Sequence, residues 1–159
     1  MTRREGPINY IFRNDQENDQ RRNSKFKTGS KTLKLRTQKL VFFDDEKNRI
    51  DDLLADHYYQ PIAGNYPSYD SFVYDPNSHQ ISAFQVTTAE DHDLKPKGVD
   101  ALNELGQRLG INNLKIRIIV VIFGGAQVTY KVPKGLIQSV GPDVYTLEVT
   151  EKQLYPIPR

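Results

Sequence analysis

Residues 69 to 88 read YDSFVYDPNSHQISAFQVTT, and Asp70, Gln85 and Thr87 are the side chains there whose types and spacing could do chemistry. In an extended chain successive side chains point to opposite faces. Ile81, Ala83, Gln85 and Thr87 therefore share one face of a strand over 81–88, and Ser82, Phe84, Val86 and Thr88 share the other. PNSH between the two strand-like runs is a turn signal, so the runs predict an antiparallel hairpin. Asp70 and Gln85 lie roughly symmetrically about that turn, which brings three polar groups to one edge of a sheet. A carboxylate, an amide oxygen and a hydroxyl form a hard-oxygen donor set. Mg²⁺ or Mn²⁺ takes such ligands, with Asp70 and Gln85 the metal-binding candidates, and activates a water for attack on phosphorus. The plainer use of the same residues is a turn cap at Asp70 and backbone hydrogen bonds from Gln85 and Thr87 at a sheet end.

Other residues could complete such a site. Lys95 and Lys97 stand at the start of the next helical pattern and could supply positive charge; otherwise they are solvated charges. His92, in AEDHDLK, is either a metal ligand or general base or simply a helix-entry residue. Glu90, Asp91 and Glu46 could add negative charge, although loop acids usually face water. Tyr58, Tyr59 and Tyr66 either stack on bases or pack in a core.

The elements that must position these residues follow from periodicity. TLKLRTQKLVFF (32–43) reads as a strand. DDEKNRIDDLLADHYY (44–59) carries Ile50, Leu53, Leu54, His57 and Tyr58 at i, i+3, i+4, i+7 and i+8, which predicts an amphipathic helix with acids in its first turn. QPIAGNYP predicts a loop. After the hairpin, PKGVDALNELGQRLG has Val99, Leu102, Leu105 and Leu109 at helical spacing and a stop at Gly110. LKIRIIVVIFGG (114–125) becomes wholly apolar, as a central strand covered on both faces does. Short strands near AQVTYKV and VYTLEVT complete the order. A hairpin followed by a crossover helix and a buried strand predicts an α/β fold, a mixed central β-sheet flanked by helices.

Composition bounds the rest. A chain of 159 residues has room for one domain, and the absence of cysteine excludes disulfides, thiolate zinc sites and a cysteine nucleophile. The longest apolar run, IIVVIF, is far below the roughly 20 residues that cross a bilayer, and MTRREG has no apolar signal core, so no membrane partner is expected. Net charge is +2, yet residues 1–40 gather eleven of the basic residues against four acids. Residues 1–31 read as a basic, partly disordered arm, in which Arg21, Arg22, Lys25, Lys27 and Lys31 are candidates for contact with nucleic acid. Residues 32–155 read as the domain and 156–159 as a tail.

One further pattern bears on identity. YYQPIAGNYPSYDSFVYD followed by ISAFQVTTAEDHDLKPKGVDAL resembles the C-terminal region shared by the Crinkler effectors of oomycetes and fungi and the retrotransposon-hot-spot-like proteins. There a Tyr-x-Pro, an Asn-x-Pro, an Asp-Ser-Phe and a Gln-x-Thr with a following His come in this order; the match spans about residues 57–105. The resemblance implies a divergent restriction-endonuclease-like domain of the PD-(D/E)XK superfamily, with an αβββαβ core. It implies Asp70 as the first motif aspartate, Gln85 at the position of the second acid and Thr87 where a lysine would stand. Threonine carries no positive charge, so Lys95 or Lys97 would have to replace that lysine. On this resemblance the chain is an intracellular, nuclease-like effector that uses Mg²⁺ or Mn²⁺ and acts in a host nucleus. The alternative is a catalytically degenerate fold that binds nucleic acid or a host protein.

Overall fold

The computed structural model describes residues 12–14, 39–44, 46–64, 66, 69–88, 91–93, 95–124, 129–131 and 143–149. Its elements in chain order are β1 (Phe12–Asn14), β2 (Lys39–Phe43), β3 (His57–Pro61), β4 (Ser71–Asp75), β5 (Gln80–Val86), β6 (Asp91–Asp93), α1 (Pro96–Arg108), β7 (Lys115–Phe123), β8 (Thr129–Lys131) and β9 (Asp143–Val149). Six strands form a mixed sheet in the order β9-β7-β5-β4-β3-β2, and the three-residue β1 extends it beyond β9. β3, β4 and β5 form an antiparallel meander, whereas β5, β7 and β9 run parallel. β6 and β8 form a separate parallel pair.

The predicted hairpin is present. Tyr74 pairs with Ile81 and Ser71 with Phe84, and Asp75 holds the turn by accepting the Asn77 N–H at 3.0 Å and the Ser78 hydroxyl at 2.7 Å. β7 is an interior strand between β5 and β9, and its apolar run is explained by burial on both faces. Ile116, Ile118, Val120 and Ile122 join the cluster under α1, while Ile119 and Val121 join a second cluster with Val73, Phe84, Tyr145 and Leu147 on the opposite face. α1 buries Val99 and Leu102 on the first cluster and adds Leu105 to it, the stripe its sequence predicts. It ends in a Schellman arrangement: Gly110 N–H donates to Gln107 C=O at 3.1 Å and Ile111 N–H to Gly106 C=O at 2.9 Å. Gly110 takes φ +70°, a conformation that favours glycine.

The helix predicted over 44–59 is not formed. Residues 46–56 are bends, turns and irregular chain, and 57–61 are β3, paired in parallel with β2. The expectation of a sheet flanked by helices is therefore corrected: one helix packs on the sheet among the described residues. Side chains that bond their own backbone compete with helix. Asp44 Oδ1 accepts the N–H groups of Glu46, Lys47 and Asn48 at 2.9, 2.6 and 2.9 Å, and Leu53 N–H donates to Asp52 Oδ1 at 2.8 Å. Tyr59 then closes the segment from β3, its hydroxyl accepting Leu54 N–H at 2.9 Å and donating to Asp52 C=O at 3.1 Å. Ile50 and Leu53 still reach the core, but as loop anchors. Pro61, expected in a loop, ends β3, a position where its missing N–H is tolerated.

The β5-α1-β7 crossover fixes the geography of the polar edge. Gln80 of β5 is level with Lys115 of β7, so α1 must return the chain from the far end of β5. Its N-terminus consequently lies toward the end of the sheet that carries Gln85 and Thr87.

Candidate functional site

Asp70 precedes β4 by one residue and lies level with Gln85, one step beyond the Ser71 and Phe84 pair. Its backbone N–H donates to Phe84 C=O at 2.7 Å, which continues the ladder to the sheet edge. Its carboxylate then takes over from the backbone: Oδ2 accepts Val86 N–H at 2.7 Å and Gln85 Nε2 at 3.2 Å. These are charge-assisted bonds, stronger than neutral ones. Gln85 and Thr87 are 8% and 7% exposed, although Asp70 itself is exposed. The same side of β5 carries Ile81 and Ala83 into the cluster under α1, as alternation requires. Thr87 is held in place through its backbone, whose N–H donates to Val121 C=O of β7 at 3.1 Å. Asp70 and Gln85 are thus in direct contact, and Thr87 follows two residues along the same face.

The auxiliary candidates divide. Lys95 is the exposed N-cap residue of α1, with extended backbone at φ −99° and ψ 129°. Lys97, the second residue of α1, lines a cleft. His92 lies on β6, level with Tyr130 of β8. Glu46 is exposed in the bend after β2, its backbone N–H spent on Asp44. Arg21, Arg22, Lys25, Lys27 and Lys31 lie outside the described residues, as do Glu90 and the 156–159 tail. Of the aromatics, Tyr59 is core, stacked on Phe72 at 4.9 Å between ring centroids, and Tyr58 hydrogen-bonds Ser71 on the opposite sheet face. His57 is half-buried on β3 and bonds Asp56 at 2.8 Å through Nδ1, an arrangement no helical stripe suggested.

Among the described residues, no three His, Asp or Glu side chains are grouped as metal ligands. A Mg²⁺ or Mn²⁺ ion at the polar edge would rest on Asp70 as its carboxylate, with the Gln85 amide oxygen and water or phosphate oxygens completing the shell. Asp70 Oδ1 accepts no hydrogen bond from the described residues, so that oxygen is available. The donor set fits such an ion as a one-carboxylate site.

The cleft was not legible as a site in the sequence. It encloses about 660 Å³ between the 44–56 segment and α1. Phe43, Tyr66 and Tyr69 give it an aromatic wall, their rings meeting at 6.2 Å and 5.0 Å between centroids. Arg49, Lys97 and Arg108 line it with Asp44, Asp100 and Glu104. Asp100, Glu104 and Arg108 recur every four residues, the one periodic signal that marks this face of α1. Arg108 Nη2 donates to Ile50 C=O at 2.6 Å and so ties the helix to the loop. The N–H groups of Asn48 and Lys47 hold the Asp44 carboxyl below its ordinary range.

Comparison with protein-family models, with curated proteins and with solved structures found no match.

Proposed function

We propose that this chain is a metal-dependent nuclease-like domain that hydrolyses nucleic-acid phosphodiesters. The observation that carries the reading is the Asp70 carboxylate held against Gln85 at the mouth of a β-hairpin, with Thr87 beside it. The element order is consistent with it: a three-strand meander, a crossover helix and a parallel buried strand are the parts of a restriction-endonuclease-like core that follow its first helix. Asp70 Oδ1 and Gln85 hold Mg²⁺ or Mn²⁺ in this reading, and the cation, when bound, polarises the phosphodiester and activates water. Lys95, at the end of the sheet that carries Gln85, supplies the charge that Thr87 lacks. The basic residues of the first 31 positions neutralise phosphates, which makes binding salt-sensitive. The family resemblance adds an effector role, a host nucleus as site of action and a host protein as possible partner.

The test is cleavage of single- and double-stranded DNA and RNA in Mg²⁺, in Mn²⁺ and in EDTA. Cutting that requires the cation supports the proposal, and cutting that persists in EDTA removes it.

A second reading is favoured by one observation. Gln85 presents its Nε2, not its oxygen, to Asp70, the arrangement of a structural hydrogen bond rather than of two ligands. In that case the fold is a degenerate nuclease that binds nucleic acid or protein without cutting. Nucleic-acid affinity that is equal with and without divalent cation, and equal in Asp70→Asn, distinguishes it.

A further inference from the structure

The sheet ends on β2, whose outer side lacks the features that usually protect an edge strand. β2 is last in the strand order, with β3 on one side and no described strand on the other. Lys39 N–H donates to Asp56 C=O and Ile62 N–H to Phe43 C=O, both at 2.8 Å, so Lys39, Val41 and Phe43 turn their backbone groups toward β3. Leu40 and Phe42 alternate with them and turn N–H and C=O outward, where no described residue bonds them. Their side chains are open to water as well. Leu40 is 49% and Phe42 54% exposed, and Ile62, beside the end of β2, is 53% exposed; these are the three most exposed large apolar side chains among the described residues. An edge strand is ordinarily blunted by a bulge, a proline or charges. β2 pairs residue for residue with β3 from Lys39 to Phe43, holds no proline, and has a single charge, at its first residue.

The spacing of these groups selects a second copy of the chain. An antiparallel copy related by a two-fold axis through Val41 sets Leu40 opposite the partner's Phe42, and Phe42 opposite the partner's Leu40. Both are then hydrogen-bonded pairs, so the outward N–H and C=O of both residues are satisfied in both strands. Opposite side chains share a face, so Leu40 also packs on the partner's Phe42, on the side of the sheet that carries Tyr58 and lies away from α1. An arbitrary extended peptide bonds the same backbone groups, but it meets Leu40 and Phe42 only if it too is apolar at alternate positions. β2 meets that requirement with itself. The net charge of +2 leaves little repulsion between copies. We propose that the chain forms a symmetric dimer by antiparallel pairing of β2 with β2 of a second copy, which joins the two sheets into one. The two-fold contact closes at the dimer and uses up both β2 edges. It does not rest on the nuclease reading.

The experiment is sedimentation equilibrium of the full chain over a concentration series, with amide hydrogen exchange of the wild type at its lowest and highest concentrations. Pairing two strands of five residues makes a small interface, so a monomer–dimer equilibrium with a dissociation constant of about 10–100 µM is expected. The Leu40 and Phe42 amides should exchange slowly only where the dimer is populated, whereas the Val41 amide, bonded to β3, is slow at both concentrations. Phe42→Pro removes only an outward N–H, a change that an edge strand tolerates, and Phe42→Lys sets a hydrated charge in the apolar contact. Each is expected to weaken dimerisation at least about tenfold while circular dichroism stays that of wild type. A chain that is monomeric at about 1 mM, assembly that continues beyond the dimer, or undiminished association in both variants overturns the inference. Equal exchange of the Leu40 and Phe42 amides at both concentrations overturns it too: slow exchange gives the edge to another segment of the same chain, and fast exchange places the contact elsewhere. The wild-type exchange decides the matter even where a variant fails to fold.

Discussion

Tyr59→Phe deletes one oxygen and tests why the 44–56 segment is a loop. The Tyr59 ring is 2% exposed and stays packed on Phe72 in the variant, so the change isolates the hydroxyl. That hydroxyl makes two bonds, from Leu54 N–H at 2.9 Å and to Asp52 C=O at 3.1 Å. Each bond contributes about 1 kcal/mol net, and orphaning its partner costs more where water cannot enter. Leu54 is exposed, so its N–H is rehydrated and the loss falls at about 1–2 kcal/mol. For a domain of 159 residues this lowers Tm by about 2–8 °C. Burial pushes the Tyr59 phenol above its ordinary value of 10.0, because the charged form is disfavoured in the interior. The folded state then holds this proton more tightly than the unfolded state. Stability is level below pH 10.0 and falls as the pH rises from there through the folded-state value, a decline that Tyr59→Phe lacks at this site. Urea denaturation followed by far-ultraviolet circular dichroism at pH 7 and at alkaline pH gives both quantities. A variant as stable as wild type at pH 7, with the same urea dependence, would refute the hydroxyl as the clasp of this loop.

Phe72→Ala should cost about 3–5 kcal/mol in the same assay, because a fully buried ring between Phe43, Tyr59 and Tyr69 leaves a cavity. Gly110→Ala should cost about 1–2 kcal/mol, since alanine is strained at φ +70°. Asp44 is held below its usual 3.8, so its contribution is present above that value and lost as the pH falls through the lower folded-state value. Acid titration of Asp44→Ala should accordingly show a shallower loss of stability below pH 3.8 than wild type; identical curves would contradict the assigned bonds.

What the sequence disclosed depended on how local the cause was. The register that joins Asp70 to Gln85 was readable because PNSH fixes the turn and alternation fixes the face, both short-range properties. The buried strand and α1 were readable because each carries its own periodicity through to its end. The 44–59 helix failed because the apolar residues at helical spacing serve two different elements. Ile50 and Leu53 anchor a loop, while His57 and Tyr58 belong to a strand that begins at His57. The decisive bonds, from Tyr59 to Asp52 and Leu54 and from Arg108 to Ile50, join residues through tertiary structure. The cleft was hidden for the same reason. Its aromatic wall comes from β2 and the segment before β4, and its charges come from the loop and α1, so no single stretch displays it.

The central claim is that Asp70 is a working ligand rather than only a clasp for Val86. Asp70→Asn keeps an oxygen to accept the Val86 N–H while removing the negative charge, so it separates the two roles. The measurement is the Mg²⁺-dependent cleavage rate of wild type and Asp70→Asn on the same nucleic acid, at equal folded concentration by circular dichroism. The account predicts that the variant stays folded and loses nearly all of the activity. An Asp70→Asn chain that cuts at the wild-type rate contradicts it.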